Sequence, residues 1–301
     1  MSSTTFSEEP KPTPEYKREV YQKQYQNELV SDFRHGFFSF GPVDVKKAAS
    51  IVDFLNGYAR RKAPGVTFNA KKIHGKLEGG ACSAIALRVG REAVALIQAI
   101  DEGRLNDRQV KEKLRQYVTA IHAEGANKNL VGRLFRENIR SIQAAFNTIN
   151  VSSSLTPEVA AKAKVRAIAA YWGLDITTST QALKITGTSA FEAQLAREMD
   201  GLGPGVYLVR IVQPAQNEKR EVQGHSTIYI KHSKFAFYFD VNIGLYDISS
   251  PEAWLVYHAL RGVCNRFQVD TCTFHKLTAS GQGFIERKTQ TFHPRDGRER
   301  G

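Results

Sequence analysis

The sequence predicts an α+β fold in which a helical N-terminal half packs on a twisted antiparallel β-sheet. Three observations carry this. As far as Met199, most apolar side chains recur at three- and four-residue steps, the period of an amphipathic helix. After the turn-rich run Gly201-Leu202-Gly203-Pro204-Gly205 the period changes to two, the period of a strand. Two such alternating stretches, Gly224 to Lys231 and Phe235 to Asp240, are separated by a gap of hairpin length, which makes neighbouring strands antiparallel.

The elements follow in order. Residues 1–30 are rich in Ser, Thr, Pro, Glu, Lys and Gln and read as a flexible leader, with a polar helix expected over 16–29. His35 to Pro42 reads as a short strand or apolar anchor ending in a turn. Val45, Ala48, Ala49, Val52, Leu55 and Tyr58 set a first helix over 44–62. Cys82, Ile85, Ala86, Val89, Ala93, Leu96, Ile97 and Ile100 set a second. Helices over 107–122, capped by Asn106 or Asp107, and over 129–147 come next. Thr156-Pro157-Glu158 starts another, with Thr as cap and Pro at the first position, ending near Gly173. Phe191 to Met199 is a further helix. Strands are expected over 206–213, 224–231, 235–240, 245–248 and 271–277, with a helix capped by Ser249-Ser250-Pro251 and carrying Trp254, Tyr257 and His258 before the last. Residues 31–286 then form one folded domain, and 287–301 a basic, solvated tail.

A chain of 301 residues that is 42% hydrophobic buries a sizeable core. No apolar run approaches the length of a membrane span. Met1 to Pro10 lacks the charged and apolar regions of a Sec signal peptide. Three widely spaced cysteines do not make a disulfide framework, which points to reducing cytosol, its own or a host's. The net charge of +12 fits acidic partners, whether an anionic membrane, nucleic acid or an acidic protein surface. Phosphate-cradling glycine motifs are absent, so nucleotide chemistry and a bound cofactor are not expected.

The chemistry concentrates in the hairpin. If Lys231 pairs with Lys234, or equally Ile230 with Phe235, His225 falls directly opposite Asp240 and Thr227 opposite Tyr238. Ile228, Ile230, Phe235, Phe237 and Phe239 then share the other, apolar face. A carboxylate across the strand orients an imidazole and fixes its tautomer, as a general base requires. Tyr229 and Tyr238 lie on the same face, as cleft lining or as packing.

A nucleophile for such a base is at hand. Cys82 follows Gly79-Gly80-Ala81 and opens its helix, so the helix dipole favours its thiolate. The glycines let backbone N–H groups approach an oxyanion. Cys82, His225 and Asp240 have the residue types and chain order of a thiol triad.

The stretches Gly79 to Ile85, Gly224-His225-Ser226 and Phe239-Asp240-Val241-Asn242-Ile243-Gly244 resemble the three motifs of the YopT-type cysteine peptidases, papain-like virulence effectors of bacteria. The resemblance spans roughly residues 70–260, with specific matches confined to those patches. It implies a papain-like catalytic domain with Cys82 as nucleophile, His225 as base and Asp240 as its orienting partner. It implies a protein substrate inside a host cell, secretion without a Sec signal, and action in the host cytoplasm or at its membrane. The chain departs from the pattern in two ways. No Asn or Gln lies just before Cys82, the nearest amide being Asn69, and no Trp follows it. Glutamine deamidation or acyl transfer runs through the same thioester, and a non-enzymatic basic module docking on membrane or nucleic acid fits the charge alone.

Other constellations carry less. His258, Cys264, Cys272 and His275 suggest zinc, but Cys272 and His275 sit at odd spacing on one strand and face opposite ways, so no metal is expected. His122 reads as structural, and Arg60-Arg61-Lys62 as a favourable helix end. Phe37, Phe38 and Phe40 read as core sooner than as a base-stacking platform.

Overall fold

The computed structural model describes residues 28–31, 33, 38–77, 80–184, 189–212, 224–248 and 271–280. Its elements are β1 (Glu28–Ser31), β2 (Gly41–Pro42), α1 (Val45–Lys62), β3 (Val66–Phe68), β4 (Lys76–Leu77), α2 (Cys82–Asp101), α3 (Asp107–Ala126), α4 (Leu130–Asn147), β5 (Ile149–Val151) and α5 (Pro157–Tyr171). There follow β6 (Leu174–Ser179), β7 (Leu183–Lys184), α6 (Ser189–Gly201), β8 (Gly205–Val212), β9 (Gly224–Lys231), β10 (Ala236–Asp240), β11 (Gly244–Asp247) and β12 (Thr271–Ala279).

The α+β architecture is as the periodicity predicts. The helices start where their caps dictate. Asp44 accepts from the Lys47 N–H at 2.9 Å, Asn106 and Gln109 close a capping box, and Thr156 precedes Pro157. The main sheet runs β1-β11-β10-β9-β8-β12-β6, with β7 also on β12, and every pairing in it is antiparallel. Helix α2 lies on β8, β9 and β12, while α3 and α4 pack against α2. This core unites the apolar faces of those helices with Ile228, Ile230, Phe237, Phe239, Leu208 and Leu277. The opposite face carries a second core of Tyr207, Val209, Tyr229, Tyr238, Tyr246 and Phe274, reached by Leu195 and Met199 of α6. Tyr229 and Tyr238 are therefore packing residues, at most 1% exposed, and not cleft lining.

Several expectations change. Glu28–Ser31, whose residues 28–30 were expected in the leader and 28–29 at the end of a polar helix, adds an edge strand to β11. The short strands β3, β4, β5, β6 and β7 had no clear alternation to announce them. β6 reads Leu-Asp-Ile-Thr-Thr-Ser, and its polar positions fit an edge strand with one wet side. Within His35–Pro42, Phe38 is buried, Phe40 is exposed, and Gly41–Pro42 pairs with β4. The expected helix after Ser249, the residues His258 and Cys264, the bulk of the leader and the basic tail lie outside the described residues. Among the described helices none is long and apolar enough to cross a membrane.

Candidate active site

The hairpin forms, but two residues away from the predicted register. Lys231 pairs with Ala236, Ile230 with Phe237, Tyr229 with Tyr238 and Thr227 with Asp240. The turn is Ser233-Lys234, closed by the His232 N–H donating to the Phe235 carbonyl at 2.9 Å. His225 is thus not opposite Asp240, and Thr227 is not opposite Tyr238. Because a shift of two conserves the faces, His225 and Asp240 remain on one side as diagonal neighbours. Phe237 and Phe239 keep their side chains in the first core.

The diagonal is bridged directly. His225 Nε2 lies 2.9 Å from Asp240 Oδ2, with His225 7% exposed and Asp240 fully buried. The other carboxylate oxygen, Oδ1, accepts the Asn242 N–H at 2.7 Å. The stretch Asp240-Val241-Asn242-Ile243-Gly244 is a tight turn, closed by Ile243 N–H to Asp240 O at 3.1 Å. Gly244 has φ +125°, a backbone that a side chain would strain, so the glycine is what lets the chain return into β11. The Asn242 amide nitrogen approaches His225 Nε2 at 3.4 Å.

With Nε2 turned to the carboxylate, Nδ1 is the ring nitrogen left for another partner. Cys82, the first residue of α2 and partly exposed, lies where the His225 ring acts on its thiol. Its Sγ also lies 3.8 Å from the Gly224 carbonyl. Burial pushes the Cys82 thiol up, but the His225 hydrogen bond and charge, Arg210 and the Ser226 N–H outweigh it, lowering the pKa to about 7. Burial likewise opposes the charged form of His225, but Asp240 and Cys82 override it and raise its pKa to about 10. Both shifts favour the thiolate and imidazolium forms of the pair over thiol and neutral imidazole.

The tip of α2 has no side-chain cap of its own. Gln143, buried on α4, supplies one by accepting the Ala84 N–H at 3.0 Å. The N–H groups of Cys82 and Ser83 keep no acceptor inside the helix. Asn69 instead caps the 3₁₀ turn Ala70–Lys72, accepting from Lys71.

Arg210 is the site residue that sequence reasoning missed. Its Nη1 donates to Ser83 Oγ at 2.8 Å and to Ser226 Oγ at 2.6 Å, and these two hydroxyls are 2.9 Å apart. One guanidinium thus ties the residue after the cysteine to the residue after the histidine. The signal for it was a lone charge inside the apolar strand Val206-Tyr207-Leu208-Val209-Arg210-Ile211-Val212. Cys272 is buried in the second core, whereas His275 faces away from it, with hydroxyls of Ser179 and Thr273 at 2.9 and 3.1 Å from its two nitrogens. The His122 ring packs tilted against Phe33, with ring centroids 5.5 Å apart.

No protein-family model and no curated protein matches the chain. Among solved structures, the crystal structure of the Pseudomonas avirulence protein AvrPphB is similar at 15% identity and a TM-score of 0.36, over 64% of this chain and 90% of that one. A likeness this loose leaves the functional reading to the site itself.

Proposed function

We propose that the chain is a papain-like cysteine peptidase in which Cys82, His225 and Asp240 act as a triad. One observation carries the reading: the His225 ring meets the Asp240 carboxylate at 2.9 Å, and the same ring is close enough to Cys82 to draw its thiol pKa down. The Cys82 thiolate attacks the carbonyl carbon of a peptide bond and forms a tetrahedral oxyanion. The free N–H groups of Cys82 and Ser83, at the positive end of α2, are placed to receive that charge. Imidazolium His225 gives its proton to the leaving amine as the C–N bond breaks, leaving a thioester on Cys82. His225 then takes a proton from water, whose oxygen attacks the thioester carbonyl and displaces the Cys82 thiolate, releasing the acid. Asp240 holds the ring and balances its positive form throughout.

The motif resemblance adds the substrate class, a protein, and the setting, the interior of a host cell. The test is labelling with a thiol-directed electrophile at neutral pH, read by mass spectrometry at Cys82. Wild type is expected to label faster than a free thiol, and His225→Ala to lose that advantage. Equal labelling of the two proteins sinks the reading. Incubation with host extract then distinguishes the products: paired fragments for a peptidase, an unbroken chain with a converted glutamine for a deamidase.

A further inference from the structure

The sheet register sets Arg210 of β8 between Ser226 of β9 and Thr273 of β12, so the three side chains share the face that α2 covers. The two N–H groups of Nη1 serve two acceptors, Ser83 Oγ at 2.8 Å and Ser226 Oγ at 2.6 Å. Those hydroxyls lie 2.9 Å apart and bond each other, so three polar atoms close a triangle between helix and sheet. Both serines are buried. Each is the chain neighbour of a triad member, Ser83 following Cys82 and Ser226 following His225.

Gly224 tightens the arrangement. An added Cβ there would sit 3.2 Å from Arg210 Nη2, while the Gly224 carbonyl lies 3.8 Å from Cys82 Sγ. Guanidinium and sulfur thus approach one residue from two directions. Ser226 faces α2, and His225, next to it on the strand, faces the other way to meet Asp240. Holding Ser226 therefore fixes the backbone from which the ring departs, without touching the ring. Two serines bond each other with no cation present, and a partly buried guanidinium costs solvation. What the arginine adds is a rigid planar group that spans both elements.

We propose that Arg210 is a positioning residue of the candidate triad: by pinning Ser83 and Ser226 to one nitrogen, it sets the approach of the Cys82 thiol to the His225 ring. The proposal rests on Cys82 being the reacting thiol. Arg210 acts through the two serines, from the helix side of the sheet, and takes no proton and no bond from the substrate.

The experiment needs no known substrate. The rate of Cys82 alkylation by iodoacetamide, located by mass spectrometry, is followed against pH. That profile reads the approach of the ring, since an imidazolium favours a thiolate only from close by. Wild type is expected to titrate at about 7. Arg210→Met removes both hydrogen bonds and the charge. Ser83→Ala combined with Ser226→Ala removes the hydrogen bonds alone and leaves the Arg210 charge in place, with its action on Lys164 and His275. Both variants should move the midpoint up by about one pH unit, an about tenfold loss of thiolate below it. Arg210→Lys, which keeps a donor but not the planar fork, should fall in between. An arginine with a merely structural role would lower the urea midpoint of unfolding and leave the thiol titration where it was, which overturns the proposal. A shift in Arg210→Met that the serine pair does not share overturns it too, because charge alone would then explain the effect. Should Arg210→Met fail to fold, the serine pair decides by itself. A wild-type midpoint near about 8.5, the value of a free thiol, would undo the reading of Cys82 as activated and this positioning role with it. A lowered wild-type midpoint that every variant keeps would undo the positioning role alone.

Discussion

At the scale of single residues, the site is a chain of three groups whose charges depend on one another. The thiolate is available above the Cys82 value of about 7, and the imidazolium below the His225 value of about 10. Turnover is therefore expected to rise with pH through about 7, as Cys82 loses its proton, and to fall through about 10, as His225 loses its own. A profile of kcat/KM against pH checks both limbs. Asp240→Asn keeps the shape but removes the charge that raises His225. The alkaline limb should move toward neutrality, and kcat should drop by about 10²–10⁴-fold. A limb that stays in place in this variant would mean that Asp240 does not set the ring's basicity. Residue types and chain order already pointed to these three side chains, because a thiol, an imidazole and a carboxylate are distinctive in themselves. Arg210 was harder to see, since an arginine acquires its meaning from what it touches.

At the scale of elements, the hairpin shows how a sheet tolerates error. The true register differs from the predicted one by two residues, and two is the period of a strand, so every side chain keeps its face. A shift of one would have put Asp240 in the apolar core beside Ile228. Turn choice decided the offset: Ser233-Lys234 replaced a loop centred one residue earlier, and no glycine or asparagine marked it. Helix α2 positions Cys82 through its packing on the sheet. A Cβ on Gly90 would approach Leu277 Cδ1 at 2.9 Å and Ile228 Cδ1 at 3.0 Å, both movable methyls. Gly90→Ala should therefore fold and react nearly as wild type does. Gly90→Leu should cost about 1–3 kcal/mol in urea unfolding and slow Cys82 labelling, by lifting the helix off β9 and β12. Normal stability together with normal labelling in Gly90→Leu would show that α2 is not held by this contact.

At the scale of the whole molecule, the site joins two halves of the chain. Cys82 comes from the helical half, while Arg210, His225 and Asp240 come from the sheet. Gln143 on α4 fastens the helix tip, and the Ser83–Arg210–Ser226 contact fastens tip to strand. The thiol should lose its enhanced reactivity at the same urea concentration at which helical circular dichroism is lost and buried Cys272 becomes reactive. A Cys82 transition at markedly lower urea would show that the junction opens on its own, before the cores do.

Local physics wrote much of this protein into its sequence: helix starts through their caps, the change from helical to strand period after Gly201, and the three side chains of the candidate triad with their order. Those features depend on neighbours a few residues away, so a linear reading reaches them. The tertiary structure alone decided the hairpin offset, the edge strands at Glu28–Ser31 and Leu174–Ser179, and the contact of Arg210 with Ser83 and Ser226. Each of these depends on groups far apart along the chain, and only the packed sheet and helices bring such groups into contact.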